Sequence, residues 1–324
     1  MTHSTSHDKH QTTIFIGDVH GQASTLLALL EQLGWKQRNQ RLTGPSDSQL
    51  VFVGDLIDRG PENRRTVEIV RELVEQGGAR CVLGNHEFNA VQFHTPDPER
   101  PGEHLRPNNE DNIRQHRAFL EDYANHTNTM RDVLNWFRTL PVAIETSHWR
   151  CVHACWDETS LEQLEARGDA WYLPANRWTA ASREGAPEHQ AIEILAKGPE
   201  WELPDGVNFS DKEGKVRTAA RLQWWRPNPE TFREALLFPS PPTGINIDDP
   251  YKHPHHPGYD PAAPPVFFGH YWKRGELKSE RPNAACIDYS AGKGDRLVAY
   301  CYRGESQLQA ENFVAEPVIA SIGS

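Results

Sequence analysis

The sequence predicts an α/β layered fold, on three observations. Short β-rich apolar runs alternate with leucine- and valine-spaced segments in a β-α-β-α-β order through the first half. The intervening segments repeat their apolar residues at helical spacing. Each of the early apolar runs stops at a glycine that is followed by polar, chemistry-bearing residues.

The elements follow in order. Thr13-Ile14-Phe15-Ile16 reads as a strand ending at Gly17. Leu26, Leu27, Leu29, Leu30 and Leu33 mark a helix over about 22–33, with Gly34 as its C-cap. Leu50-Val51-Phe52-Val53 is a second buried strand ending at Gly54. Val67, Ile69, Val70, Leu73 and Val74 suit a helix over about 66–76, closed by Gly77-Gly78. Cys81-Val82-Leu83 is a third strand, ending at Gly84. Helical signal returns over Ile113–Tyr123 and Met130–Leu140, and Pro141 ends it. Val142–Ile144 with Arg150–Val152 suggests a hairpin, Val266-Phe267-Phe268 a strand ending at Gly269, and Cys286-Ile287-Asp288 and Leu297–Tyr302 the last strands. The expected organisation is a disordered tail over 1–12 and one domain over 13–305. That domain carries insertions at about 92–110 and 157–264, and residues 306–324 follow as a tail or edge element.

Composition narrows the function. The 324 residues carry a net charge of −11, which argues against a uniformly basic footprint for nucleic acid. No apolar run approaches the roughly 20 residues of a membrane helix. The polar N-terminus lacks the apolar core of a signal peptide, so the cytoplasm is the expected compartment, with no membrane partner. Oligomeric state is not indicated. The five cysteines are odd in number and form no disulfide framework. Cys151 and Cys155 flank His153 and could suggest zinc, but core packing is the simpler reading. His253, His255 and His256 lie in a proline-rich stretch that reads as a solvated loop, with metal binding as the alternative. Trp171, Trp178, Trp201, Trp224 and Trp225 read mainly as core, with base stacking as the alternative.

Four strand ends share one design. They read Gly17-Asp18-Val19-His20-Gly21, Gly54-Asp55-Leu56-Ile57-Asp58-Arg59-Gly60, Gly84-Asn85-His86-Glu87 and Gly269-His270. Ligands of open α/β sheets bind beyond the carboxyl ends of strands. Each stretch has a plain structural reading: Asp18, Asp55 or Asp58 as helix caps, Asn85 in a left-handed turn, His20 or His270 as core histidines. Four such coincidences favour a site.

GDVHG, GDLIDRGP, GNHE, a His after a strand at 153 and a later GH together resemble the phosphoprotein phosphatase branch of the calcineurin-like metallophosphoesterases. The resemblance runs from Ile14 to about Tyr302. It implies two mixed β-sheets in a sandwich flanked by helices, and two divalent metal ions. It places Asp18 and His20 on the first ion, Asp55 between both, and Asn85, His153 and His270 on the second. Manganese is preferred because relatives often use it; iron and zinc suit the mixed oxygen and nitrogen ligands equally. The implied chemistry is attack of a metal-bridging hydroxide on a phosphate ester. His86 would protonate the leaving oxygen, Asp58 would hold His86, and Arg59 would grip the phosphate beside Asn85. A surface salt bridge is the alternative for Arg59. A second phosphate-binding arginine is expected between His153 and His270, with Arg217 and Arg221 as candidates. Trp272 stands where many metallophosphoesterases carry a second histidine, which fits the phosphoprotein phosphatase branch. The implied substrate is a phosphorylated protein, or alternatively a dinucleoside polyphosphate such as diadenosine tetraphosphate. A non-catalytic metal-binding scaffold would be expected to lack a ligand or His86, and neither is lost.

Overall fold

A computed structural model describes residues 12–38, 41–210, 214–251 and 258–319. They form two compact units, one drawn from 1–196 and 264–324, the other from 197–263. The expected tail at 1–12 falls almost wholly outside the described residues, as do His253, His255 and His256.

The first unit contains two mixed sheets. In one, the parallel strands Thr12–Ile16, Ser48–Phe52 and Ala79–Cys81 lie side by side. Arg296–Tyr302 adds antiparallel to Thr12–Ile16, and Phe313–Pro317 forms the far edge. In the other, Val266–Phe268 runs parallel to both Ala284–Cys286 and Arg150–Val152. The sheet then continues antiparallel through Ala143–Glu145, Ala170–Tyr172 and Glu165–Arg167. The inner faces meet in a shared core of Phe15, Val51, Val53, Ile144, Cys151, Phe267, Val298 and Tyr300. Phe15 and Phe267 stack across it with ring centroids 3.7 Å apart. This is the sandwich that aligned sheet packing produces.

Helices Ala23–Gln32 and Asn63–Glu75 connect the three parallel strands, as parallel pairing requires. The first buries Leu26, Leu29 and Leu30, and the second Val67, Val70 and Leu73. Gly34 takes φ 85° after the first, and Trp35 N–H donates back to Leu30 O at 2.8 Å. Some strand limits differ from expectation. The third strand runs over Ala79–Cys81 because Leu83 N–H turns away to donate to Pro141 O. The Cys286–Asp288 run instead ends its ladder at Cys286.

The second unit has its own small core, including Leu203, Phe209, Ala220, Phe232, Leu236 and Tyr251. A three-stranded antiparallel sheet, Glu200–Glu202, Ala219–Leu222 and Leu236–Leu237, supports it. Trp224 and Trp225 are buried in this unit, and Trp178 is buried in the first. These three indoles therefore serve packing, not an exposed stacking platform.

Candidate active site

Asp18, Asp55, Asn85, His153 and His270 each follow the carboxyl end of a strand, three from one sheet and two from the other. The glycines make the approach possible. A Cβ on Gly84 would overlap the backbone and carboxylate of Asp55, and one on Gly269 would overlap Asp18 Oδ1. Non-glycine residues in the left-handed region gather in the same loops: His20, Asp55, Asp58, Arg59 and His270 all have positive φ. Such strain clusters where function fixes a side chain's direction.

The capping readings do not hold. Gln22 and Glu62 are the N-caps of the two crossover helices, and neither side chain caps its own helix. Asn85 begins a helix, Asn85–Phe93, and is not in a left-handed turn.

Asp55 is the hub. Its Oδ1 lies 3.3 Å from His153 Nε2, and its Oδ2 lies 3.6 Å from His20 Nε2 and 3.9 Å from His86 Nε2. Burial raises its pKa, but His153, His86 and His20 outweigh this and hold the carboxylate well below its ordinary range. His20 donates Nδ1–H to Ile57 O at 2.9 Å, which leaves its lone pair on Nε2. Burial first, and His86 next, push His20 down to about 3. His153 donates Nδ1–H to Val53 O at 2.6 Å, and its Nε2 faces Asn85 Oδ1 at 3.1 Å. Asp18 accepts from His270 N–H at 3.0 Å through Oδ2.

The donor atoms of His20, Asp55 and His86 lie within 4.8 Å of one another, as do those of Asp55, His153 and His270. Two groups sharing one carboxylate could hold two cations. Asp18 Oδ1 and His20 Nε2, both buried, have no hydrogen-bond partner among the described residues. Burial, then Asp288, then Asp55 push the Asp18 carboxyl well up, a cost that a bound cation would remove. The residues present fit a divalent pair.

His86 differs from the other donors. Its Nδ1 is 2.6 Å from Asp58 Oδ2, so only Nε2 remains for other work. Arg59 lies over the Trp272 ring, 4.4 Å from its centroid.

Sequence reasoning missed several contributors. Glu87 accepts from the backbone N–H of Asp55 and Leu56 at 2.8 Å each and of Gly84 at 3.1 Å, so it knits two ligand loops together. Burial and the Asp55 charge push it up to about 7. Asp288 holds the loop beyond His270 by accepting from Trp272 N–H at 2.7 Å. His116 donates Nδ1–H to Asp58 Oδ1 at 2.8 Å. Only the position of Glu87 beside the GNH run could have marked it; nothing in the spacing marks His116.

Arg217 and Arg221 belong to the second unit. Arg217 pairs in register with Phe209, and Arg221 Nε is 3.7 Å from Glu200 Oε1. All five cysteines are buried and free, and burial raises the thiols of Cys151 and Cys155. Among the described residues, neither cluster of possible metal donors includes a cysteine.

Comparison with known proteins agrees with this geometry. The calcineurin-like phosphoesterase family model matches residues 12–271. An asymmetrical bis(5'-nucleosyl)-tetraphosphatase PrpE from a Geobacillus species is 45% identical over 24% of this chain and 32% of its own length. A symmetrical bis(5'-nucleosyl)-tetraphosphatase from a Janthinobacterium species is 27% identical over 59% of this chain and 53% of its own length. The chain thus spans between a third and about half of these curated relatives. A protein serine/threonine phosphatase structure from Saccharomyces cerevisiae aligns over 98% of this chain and 83% of that one. At 14% identity and a TM-score of 0.48, that likeness is too slight to bear on function. With a family match across most of its length, and its strand-end residues gathered at one shared carboxylate, the chain belongs to the calcineurin-like phosphoesterases.

Proposed function

We propose that this protein hydrolyses phosphate monoesters with two divalent cations, in the manner of phosphoprotein phosphatases. The observation that carries the reading is Asp55: one carboxylate oxygen lies 3.6 Å from His20 Nε2 and the other 3.3 Å from His153 Nε2, with the His86–Asp58 pair beside it. Asp18, His20 and Asp55 would hold one cation, and Asp55, Asn85, His153 and His270 the other. Manganese is our first choice, with iron or zinc compatible with the same donors. When bound, the cations supply an acidified water near neutral pH and offset the phosphoryl charge.

The chain's own residues do the rest. Asn85 adds an oxygen donor without adding negative charge where an anion must sit. Arg59, braced on Trp272, grips phosphoryl oxygens with its planar fork. His86 offers Nε2–H to the leaving oxygen, and Asp58 fixes the ring through Nδ1. Arg217 and Arg221, the candidates for a second phosphate contact, belong to the second unit.

A second substrate reading is a dinucleoside polyphosphate, since two relatives are named bis(5'-nucleosyl)-tetraphosphatases. The test is a substrate panel with Mn2+ added after chelation: p-nitrophenyl phosphate, phosphoserine and phosphotyrosine peptides, and diadenosine tetraphosphate. Turnover of the peptides with none of the dinucleotide supports the first reading, and the reverse supports the second. No metal-dependent turnover of any substrate would sink both.

A further inference from the structure

Both carboxylate oxygens of Asp58 are committed to imidazoles. Oδ2 meets His86 Nδ1 at 2.6 Å, and Oδ1 meets His116 Nδ1 at 2.8 Å. His116 lies on the helix Glu110–Asp122, far in sequence from every strand-end motif, and is 5% exposed. We propose that His116 is a positioning residue for the phosphoesterase reaction, setting the Asp58 carboxylate so that it aims His86. The proposal rests on the reading of His86 as proton donor to the leaving group.

A carboxylate torsion is soft and roughly two-fold, so one hydrogen bond from His86 would leave the Asp58 plane free to rock. A second bond from a fixed donor removes that freedom. His116 is such a donor. Its ring stacks on Phe119 of the same helix with centroids 4.6 Å apart and meets Phe93 edge-on at 5.2 Å. Its Nε2 lies 3.3 Å from Nε2 of His94. The Asp58 backbone is pinned as well, with N–H donating to Asn63 Oδ1 at 2.5 Å.

The geometry closes a ring. The helix Asn85–Phe93 presents His86 near its start and is capped at its end by His94. His94 touches His116, His116 holds Asp58, and Asp58 returns to His86. The proton donor is thus braced from both ends of its own helix. A bond that only satisfied a buried carboxylate would not need its donor's second nitrogen to face back to that helix.

Three variants test this. H116F keeps the ring and its stacking but removes both nitrogens. H116N keeps a donor near the Nδ1 position. H116Q places its amide nitrogen near the Nε2 position instead. With Mn2+ bound, H116F and H116Q should lose about 10-fold in kcat on phenyl phosphate but less than about 2-fold on dinitrophenyl phosphate, whose leaving group needs no proton. KM and bound manganese per chain should stay at the wild-type values, and H116N should recover most of the rate. In the proton NMR spectrum, the His86 Nδ1–H resonance should shift in H116F and return in H116N. Equal losses on the two esters, an unchanged rate, or no recovery in H116N would overturn the proposal. If H116F fails to fold, the wild type and H116Q carry the same comparison, and a missing split overturns it. If H86A shows the leaving-group split and H116F and H116Q do not, only the role of His116 falls. If the wild type turns over neither ester, the phosphatase reading falls, and this role with it.

Discussion

Nδ1 of His86 and Oδ2 of Asp58 lie 2.6 Å apart, and the other oxygen of Asp58 is held at 2.8 Å by His116. Burial alone would raise Asp58, yet the two imidazole hydrogen bonds hold it well below the ordinary carboxylate range. Asp58→Asn offers one acceptor oxygen where two imidazoles need one each. Its kcat on a phosphoserine peptide should fall about 100-fold, while bound metal is retained. Paired turnover and metal analysis check this; a variant that empties of metal would recast Asp58 as a ligand support.

Glu87→Gln puts an amide NH2 against backbone N–H groups that now donate to a carboxylate. At least one buried donor then loses its acceptor, at about 1–3 kcal/mol. Urea unfolding should show a lower midpoint with an unchanged slope. Manganese affinity should weaken about 10-fold, because the Asp55 loop is no longer fixed. A midpoint equal to the wild type would show that Glu87 does not brace that loop.

Trp272→Leu removes the ring beneath Arg59. The expected loss is about 1 kcal/mol, or about 5-fold in KM, with kcat nearly unchanged. Steady-state kinetics on p-nitrophenyl phosphate separate the two constants. A loss in kcat alone would place the tryptophan's effect on the chemical step instead.

His94 gives a pH signature. Burial, then His116 and His104, push it down from 6.5 to about 4. The unfolded chain therefore binds a proton between these values that the folded chain does not. Stability from neutral His94 is full above pH 6.5 and declines as pH falls toward 4. Against His94→Phe, which lacks this dependence, the wild type should lose melting temperature faster between pH 7 and 5. Parallel curves for the two proteins would contradict the shift.

Much of the first sheet and most of the site were legible because one local rule repeats. A buried parallel strand is an apolar run, and a glycine at its end lets the next residue turn into the cleft, as at Gly54-Asp55 and Gly84-Asn85. Arg59, Asp58 and His86 came from the same stretches. What stayed hidden acts through space without a local pattern. Glu87 works on backbone amides 30 and more residues away, and His116 reaches Asp58 across 58 positions. The second unit resisted reading for another reason. Its strands are two to four residues long, too short for a period-two pattern to show.

The span between Asp18 and His270, joined by a hydrogen bond across 252 positions, bears on the order of synthesis. A ribosome releases Asp18 long before His270. The strand Arg296–Tyr302, which pairs with Thr12–Ile16 inside the first sheet, emerges later still. A nascent chain that has not yet made that strand already carries Asp18, Asp55 and His270 but lacks the antiparallel neighbour of Thr12–Ile16. The first sheet, and with it the strand whose end carries Asp18, is therefore completed only after every other residue of the cleft has been synthesised.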